Sequence, residues 1–181
     1  MLVGPLGASE LTDRFRQRAT QAGATVQTVP DDSAAVAAVA LVARQFDAPR
    51  VTATPEGARF APAGALVGGS ALEVADAEMG VSVGRLAVAE TGSVLLGSNN
   101  TEARLVGMLA RTHVVVVSAR LLVPSLDDAA ETVRALAGPG PEQLRYLGLV
   151  TGPSRTADIE RVLTIGVQGP RALHVVLIED S

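Results

Sequence analysis

Apolar positions recur with the spacing of a strand in some segments of the chain and with the spacing of a helix in others. This pattern predicts a succession of strands and helices. Short apolar or alternating runs predict strands at 24–29, 50–54, 65–67, 86–89, 94–96, 113–117, 121–123, 147–150 and 172–178. Longer stretches with apolar residues at helical spacing predict helices at 11–21, 30–46, 71–79, 125–137 and 156–165. Strands that alternate with helices in this way indicate an α/β sandwich.

The type of sheet follows from the strands themselves. The run His113–Val117 is apolar throughout after its first residue, which is typical of a strand buried on both faces of a parallel sheet. The β-rich middle of the chain, residues 86–123, favours some antiparallel strands, so we expect a mixed sheet. Ligands of open α/β sheets bind beyond the carboxyl ends of strands, and the loops after the strands are therefore the first candidates for a site.

Composition excludes several classes of protein. The 181 residues suffice for one ordinary domain. The chain has no cysteine, and all 15 of its basic residues are arginines. This excludes disulfides, a thiol nucleophile, a thiolate metal site, a lysine Schiff base and a P-loop lysine. With only two histidines we predict no metal site.

Net charge and hydropathy limit the kinds of partner that the chain can bind. The net charge of −4 and an aromatic content of 2% argue against a nucleic-acid partner, which usually requires a basic surface and stacking side chains. No apolar run reaches the ~20 residues of a membrane span, and the first residues lack the pattern of a signal peptide. We therefore expect a soluble cytoplasmic protein.

Residues 147–160 form the first candidate site, read as a strand, a glycine-containing loop and a helix. Free N–H groups at the helix start, the loop hydroxyls and Arg155 could hold an anion or a carboxylate. Ordinary capping by Ser154 or Thr156 explains the same residues, and Asp158 already complements the helix dipole. Both interpretations stay open.

Two further loops carry polar groups. In the segment 87–96, Glu90 at a strand end could act as acid, base or nucleophile, but the pattern favours a simple hairpin turn with Gly92 at positive φ. In the segment 166–170, Gln168 could hydrogen-bond a ligand, whereas Gly166 could simply end a helix. His113 opens a buried strand, where a lone histidine is more often structural than catalytic.

Taken together, residues 87–93, 113–117, 151–160 and 166–170 resemble the LUD-domain family of lactate-utilisation proteins, over roughly residues 10–179. The run Gly152-Pro153-Ser154-Arg155-Thr156-Ala157-Asp158-Ile159-Glu160 is the most specific of the four. The resemblance implies a three-layer αβα sandwich with a mixed, mostly parallel sheet, similar to the NagB/RpiA/CoA-transferase superfamily. It also implies one domain over residues 1–181, with 1–9 as a loose N-terminal segment.

The resemblance further implies a non-redox component of an iron–sulfur system that oxidises L-lactate to pyruvate. The clusters are expected on partner subunits, because a chain without cysteine cannot hold them itself, and this chain is expected to bind no cofactor. It would bind a small anionic or carboxylate ligand, or the partner subunits, and could form a homo-oligomer. Two alternatives remain: a free-standing transferase, ligase or isomerase of the same superfamily that uses Glu90 as base or nucleophile, and a purely structural interaction module.

The candidate site residues follow from these loops and from the resemblance. Three are catalytic candidates: Glu90, His113 and Asp158. Ten are ligand-binding candidates: Thr91, Gly92, Ser93, Thr151, Gly152, Ser154, Arg155, Thr156, Gln168 and Gly169. The family commonly has histidine where this chain has Gln168. We expect the loops around 91, 113, 154 and 168 to line one cleft.

Overall fold

The computed structural model describes residues 7–140, 143–157, 163–165 and 169–179. The strands are β1 (Thr25–Val29), β2 (Val51–Ala53), β3 (Leu66–Val67), β4 (Met79–Val83), β5 (Leu86–Val88), β6 (Ser93–Ser98), β7 (Thr112–Ser118), β8 (Leu122–Val123), β9 (Tyr146–Val150), β10 (Arg155–Ala157), β11 (Leu163–Ile165) and β12 (Ala172–Ile178). The helices are α1 (Ala8–Gln21), α2 (Asp32–Gln45), α3 (Ala71–Ala75), α4 (Thr101–Leu109) and α5 (Leu126–Ala137). The predicted α/β class is confirmed.

A six-stranded sheet forms the centre of the molecule in the order β1-β12-β7-β4-β2-β3. All its neighbouring strands are parallel. The central strand β7 is buried over Thr112–Val117, as expected for a β-branched run covered on both faces. In the register with β4, Gly80 lies opposite His113 and Ser82 lies opposite Val115.

Each face of this sheet has its own core. On one face α2 packs through Ala35 and Val39 against Val114 of β7. On the other face Phe15 of α1 packs with Val115. Since successive side chains of a strand point to opposite faces, this division follows from the period of two along β7.

A second, smaller sheet lies on the α1 side, in the order β8-β5-β6-β9. Its β5–β6 and β6–β9 pairs are antiparallel, which confirms the antiparallel strands expected in the middle of the chain. Ala87 and Val94 of this sheet share the core with α1 and the central sheet. Helix α5 packs through Ala129 with Leu86 and Val88.

The structure differs from the sequence pattern at two neighbouring elements, β4 and α4. The helix predicted at 71–79 ends at Ala75, and Met79–Val83 forms strand β4 of the central sheet. Residues 101–109, for which the sequence pattern predicts no element, form α4, which Asn100 caps through its side chain. The close approach of these two elements requires glycine, because a Cβ at Gly80 would lie 2.6 Å from the carbonyl oxygen of Val106.

The helix predicted at 156–165 is wrong at both of its ends. Arg155–Ala157 pairs antiparallel with Leu163–Ile165, so the described ends of this segment form a hairpin. The threonines at 156 and 164 and Ile165 are β-branched, and such residues favour strands over helices. Both interpretations of this segment, an anion site at a helix N-terminus and ordinary capping by Ser154 or Thr156, place a helix start where the structure has strand β10, and both are wrong in that respect.

None of the helices within the described ranges combines the length and the apolar character that crossing a membrane requires.

Candidate functional site

A cleft of about 290 Å³ lies between α4 and the smaller sheet, and it reaches the carboxyl ends of β2 and β4. Its walls come from the ends of β2 and β4, one side of α4, strands β6 and β9, the loop 151–154, and residues 169–170. This is the position at which open α/β sheets bind their ligands.

The deepest polar pair beside the cleft is formed by Ser82 and His113. Ser82 lines the cleft with an exposed fraction of 4%, and its Oγ lies 3.0 Å from Nε2 of the fully buried His113. The two side chains meet because they lie on the same face of neighbouring strands, diagonally across the β4–β7 register. Gly107 of α4 leaves room for the imidazole, since a Cβ there would lie 3.0 Å from Cε1.

Burial keeps His113 neutral. It lowers the pKa of this imidazole to about 4, and desolvation is the cause of the shift. Its Nδ1 has no hydrogen-bond partner in the described part of the chain. A fully buried imidazole without a carboxylate partner is poorly suited to hold a positive charge, so His113 is better placed to position Ser82 than to accept a proton.

The cleft also contains one cation and one carboxylate from its own walls. Arg104 of α4 lies with its guanidinium carbon 4.6 Å from the ring centroid of Tyr146. Glu56 forms an ion pair with Arg85 at 3.0 Å. Because Glu56 is already paired with Arg85 while Arg104 stacks on an uncharged ring, Arg104 is the charged group that the described lining offers to an anion.

The loop 151–154 contributes hydroxyls and is fixed by a chain of hydrogen bonds. Oγ of Ser93 donates to Oγ1 of Thr91 at 2.7 Å and is also hydrogen-bonded to Oγ1 of Thr151. Since the Ser93 hydrogen goes to Thr91, Thr151 is the donor toward Ser93. Thr151 therefore presents acceptor lone pairs, rather than its hydrogen, to the cleft that it lines.

Gly152 and Arg155 attach this loop to the end of α1. Gly152 has φ +72°, and a Cβ there would lie 2.2 Å from the carbonyl oxygen of Ala22. Nη2 of Arg155 donates to the same carbonyl oxygen at 2.8 Å. Arg155 thus satisfies a free carbonyl at the helix C-terminus, a position that favours cations.

Glu90 and Gly92 serve packing between elements in the structure. Oε2 of the exposed Glu90 accepts a hydrogen bond from the backbone N–H of Leu126 at 3.1 Å, at the first residue of α5. Gly92 has φ +69°, and a Cβ there would lie 2.2 Å from the backbone nitrogen of Ala19. Both contacts support the turn interpretation of this loop, and the assignment of Glu90 as base or nucleophile stays a prediction.

The structure thus brings together part of the predicted set. Thr151, Gly152, Ser154 and Gly169 line the cleft. Ser93 and His113 lie one hydrogen bond behind it. Four candidates lie outside the described lining: Glu90, Thr91, Gly92 and Arg155. Thr156 lies in β10, and Asp158 and Gln168 lie outside the described residues. The roles assigned to all of these residues stay predictions.

Most of the other described lining residues were not predicted, among them the polar residues Ser82, Arg104 and Tyr146. Ser82 and Arg104 belong to β4 and α4, two elements that the sequence pattern failed to identify. A usable pattern existed for α4, since Asn100 followed by Thr101 and Glu102 is typical of a helix start.

Comparison with known proteins gives consistent similarities. A family model described as the LUD domain matches residues 12–178. Lactate utilization protein C of Shouchella clausii (strain KSM-K16) is 33% identical over 107 residues, which cover 58% of this chain and 45% of that protein. Lactate utilization protein C of Bacillus subtilis (strain 168) is 32% identical over 104 residues, which cover 58% and 43% respectively. The chain spans about half the length of these relatives.

A solved structure supports the fold. The crystal structure of a DUF162 family protein from Deinococcus radiodurans superposes with a TM-score of 0.68 and covers 96% of this chain and 99% of that chain, at 22% sequence identity. The family match begins inside α1 and ends with β12, so it includes every element that encloses the cleft. The chain belongs to the LUD-domain family.

Proposed function

We propose that this LUD domain takes part in L-lactate oxidation as a component without a redox centre of its own, and that it binds a small carboxylate in the cleft. The relatives named lactate utilization protein C support the process. The cleft supports the ligand class, because it combines a stacked arginine with hydroxyl groups beside a buried sheet.

The arrangement of Arg104 carries this proposal. Its guanidinium lies over the Tyr146 ring, and this stacking leaves the N–H donors at the edge of the guanidinium plane available to a carboxylate. Arg104 forms no ion pair within the described ranges, whereas Glu56, the carboxylate of the described lining, is already paired with Arg85. The volume of about 290 Å³ lies at the lower end of small-molecule sites and suits a ligand of few atoms.

Partner subunits would carry out the redox steps of L-lactate oxidation. Iron–sulfur clusters are held by cysteine thiolates, and this chain has none. We therefore infer cysteine-rich iron–sulfur partners in the cytoplasm, with this chain as the subunit that binds the organic acid. Affinity purification of the tagged chain from cells grown on lactate would test this, and recovery of the chain without any cysteine-rich protein would contradict it.

Binding is tested directly by isothermal titration of the purified chain with L-lactate and pyruvate. Removal of a charge-assisted hydrogen bond costs about 1.5–3 kcal/mol, so Arg104→Met is expected to weaken binding by about 10- to 100-fold. The matched control is Arg134→Met, an exposed arginine on α5, which packs against a different part of the smaller sheet. Wild-type protein that binds neither acid at millimolar concentration would contradict the proposal, as would equal affinities for the two variants.

The role in cells is tested by deletion and complementation. A strain that lacks the gene and has no paralogue is expected to grow poorly on L-lactate and normally on glucose. The Arg134→Met gene is expected to restore growth on lactate, and the Arg104→Met gene is expected to restore less. Normal lactate oxidation in the deletion strain would show that the chain serves another process.

A further inference from the structure

Ser82 has a hydrogen-bonding arrangement that the proposed ligand class does not by itself require. Its side chain is almost fully buried and lines the cleft, and His113 Nε2 is the partner of its Oγ among the described residues. The direction of this one hydrogen bond decides what Ser82 presents to the cleft.

The surroundings of His113 decide that direction. If Nδ1 carried the proton, a fully buried N–H would have no acceptor, because Nδ1 has no partner among the described residues. If Nε2 carries the proton, it donates to Ser82 and only a lone pair on Nδ1 goes without a partner. Buried N–H groups without an acceptor are rarer in proteins than acceptors without a donor, so the Nε2–H form is favoured.

The consequence is a free donor at the wall of the cleft. With one lone pair of Oγ occupied by His113, the hydroxyl hydrogen of Ser82 remains for another acceptor. No other group in the described ranges accepts it. Ser82 lies near the carboxyl end of β4 and lines the cleft, so the cleft is the space in which an acceptor for this hydrogen can bind.

We propose that Ser82, positioned by His113, donates a hydrogen bond to the oxygen on C2 of the ligand, so that the site selects carboxylates that carry an oxygen at C2. This inference rests on the proposed function, in which Arg104 binds the carboxylate. Within it, Arg104 sets affinity for any small carboxylate, and Ser82 distinguishes 2-oxo and 2-hydroxy acids from their unsubstituted analogues. His113 is a positioning residue that does not touch the ligand.

The first experiment tests the hydrogen bond without any ligand. Heteronuclear NMR of the imidazole nitrogens identifies the tautomer, and the chain has only two histidines, so His174→Gln assigns the remaining signals to His113. We expect the neutral Nε2–H form at neutral pH, with a coupling from Nε2 to its proton. A proton on Nδ1 would overturn the inference, because Ser82 would then donate to His113 and have no hydrogen for a ligand.

The second experiment measures selectivity by titration of wild type, Ser82→Ala and Ser82→Thr with pyruvate, L-lactate and propionate. Loss of a neutral hydrogen bond corresponds to about a 3- to 10-fold weaker affinity. We expect Ser82→Ala to show this loss with pyruvate and L-lactate and no change with propionate. Ser82→Thr retains the hydroxyl on a strand and is expected to restore the preference for the oxygenated acids.

The outcomes separate this inference from the proposed function. If wild type binds the acids and Ser82→Ala binds pyruvate equally well, the selectivity inference is wrong and the carboxylate site stands. If Ser82→Ala weakens the binding of propionate as much as that of pyruvate, the side chain supports the shape of the cleft and does not recognise the oxygen on C2. If wild type binds none of the three acids, the proposed function fails, and the inference fails with it.

Discussion

The neutral, buried state of His113 predicts that acid destabilises the fold through this one side chain. His113 is fully buried, and burial lowers its pKa to about 4, from 6.5 for an exposed histidine. In the unfolded chain the imidazole returns to water and regains its ordinary pKa. Below about pH 6.5 the unfolded chain therefore binds a proton that the folded chain does not bind, and stability falls as the pH falls.

The magnitude follows from the two pKa values. A difference of this size corresponds to about 3 kcal/mol in total, lost progressively between about pH 6.5 and pH 4. Between about pH 7 and pH 5, where most carboxylates are still ionised, the linkage relation gives a loss of about 2 kcal/mol. His174 shifts in the same direction, because burial lowers its pKa also, so the two histidines must be separated.

The assay is urea unfolding of wild type and His113→Gln at a series of pH values across this interval. Glutamine does not titrate, and the variant retains His174 and every carboxylate, so the difference between the two pH profiles belongs to His113. We expect the wild-type free energy of unfolding to fall by about 2 kcal/mol more than that of the variant. Parallel profiles would show that His113 is hydrated or charged in the folded protein, and the argument for its hydrogen bond to Ser82 would then fail.

Two further predictions concern the loop before β6. Gly92→Ala places a Cβ at 2.2 Å from the Ala19 nitrogen in a residue with positive φ, so we expect thermal unfolding to show a loss of several kcal/mol of stability. The control is Gly140→Ala, where nothing lies within 4 Å of the added Cβ, and we expect little change in stability. Glu90→Gln weakens the contact with the Leu126 N–H, so we expect a loss of about 0.5–1 kcal/mol and an unchanged affinity for pyruvate. A large loss of affinity in this variant would instead support the catalytic role predicted for Glu90.

The fold could be predicted largely because its buried strands can be recognised from their own residue types. The run Val114–Val117 is β-branched throughout, and it forms the central strand. Helix α5 begins after the cap residue Ser125, as its sequence predicts. The pair of β10 and β11 could not be predicted in this way, because the spacing of the apolar residues in this segment also fits a helix, and only the pairing of its two ends with each other selects the strand.

The candidate site was predictable mainly where it follows directly from a strand end. Thr151 and Ser154 come after β9, and a search of the loops after predicted strands identifies them without any structure, although β9 belongs to the smaller sheet and pairs antiparallel with β6.

Ser82 and Arg104 do not follow from any local pattern. Ser82 is an ordinary polar residue in a five-residue strand until the β4–β7 register places it diagonally from His113. Arg104 becomes a ligand candidate only when α4 packs over Gly80, which has no side chain to keep the helix away. A site built from register and close packing is specified by pairs of residues far apart in the chain, and for that reason its donors are identified by geometry rather than by motif.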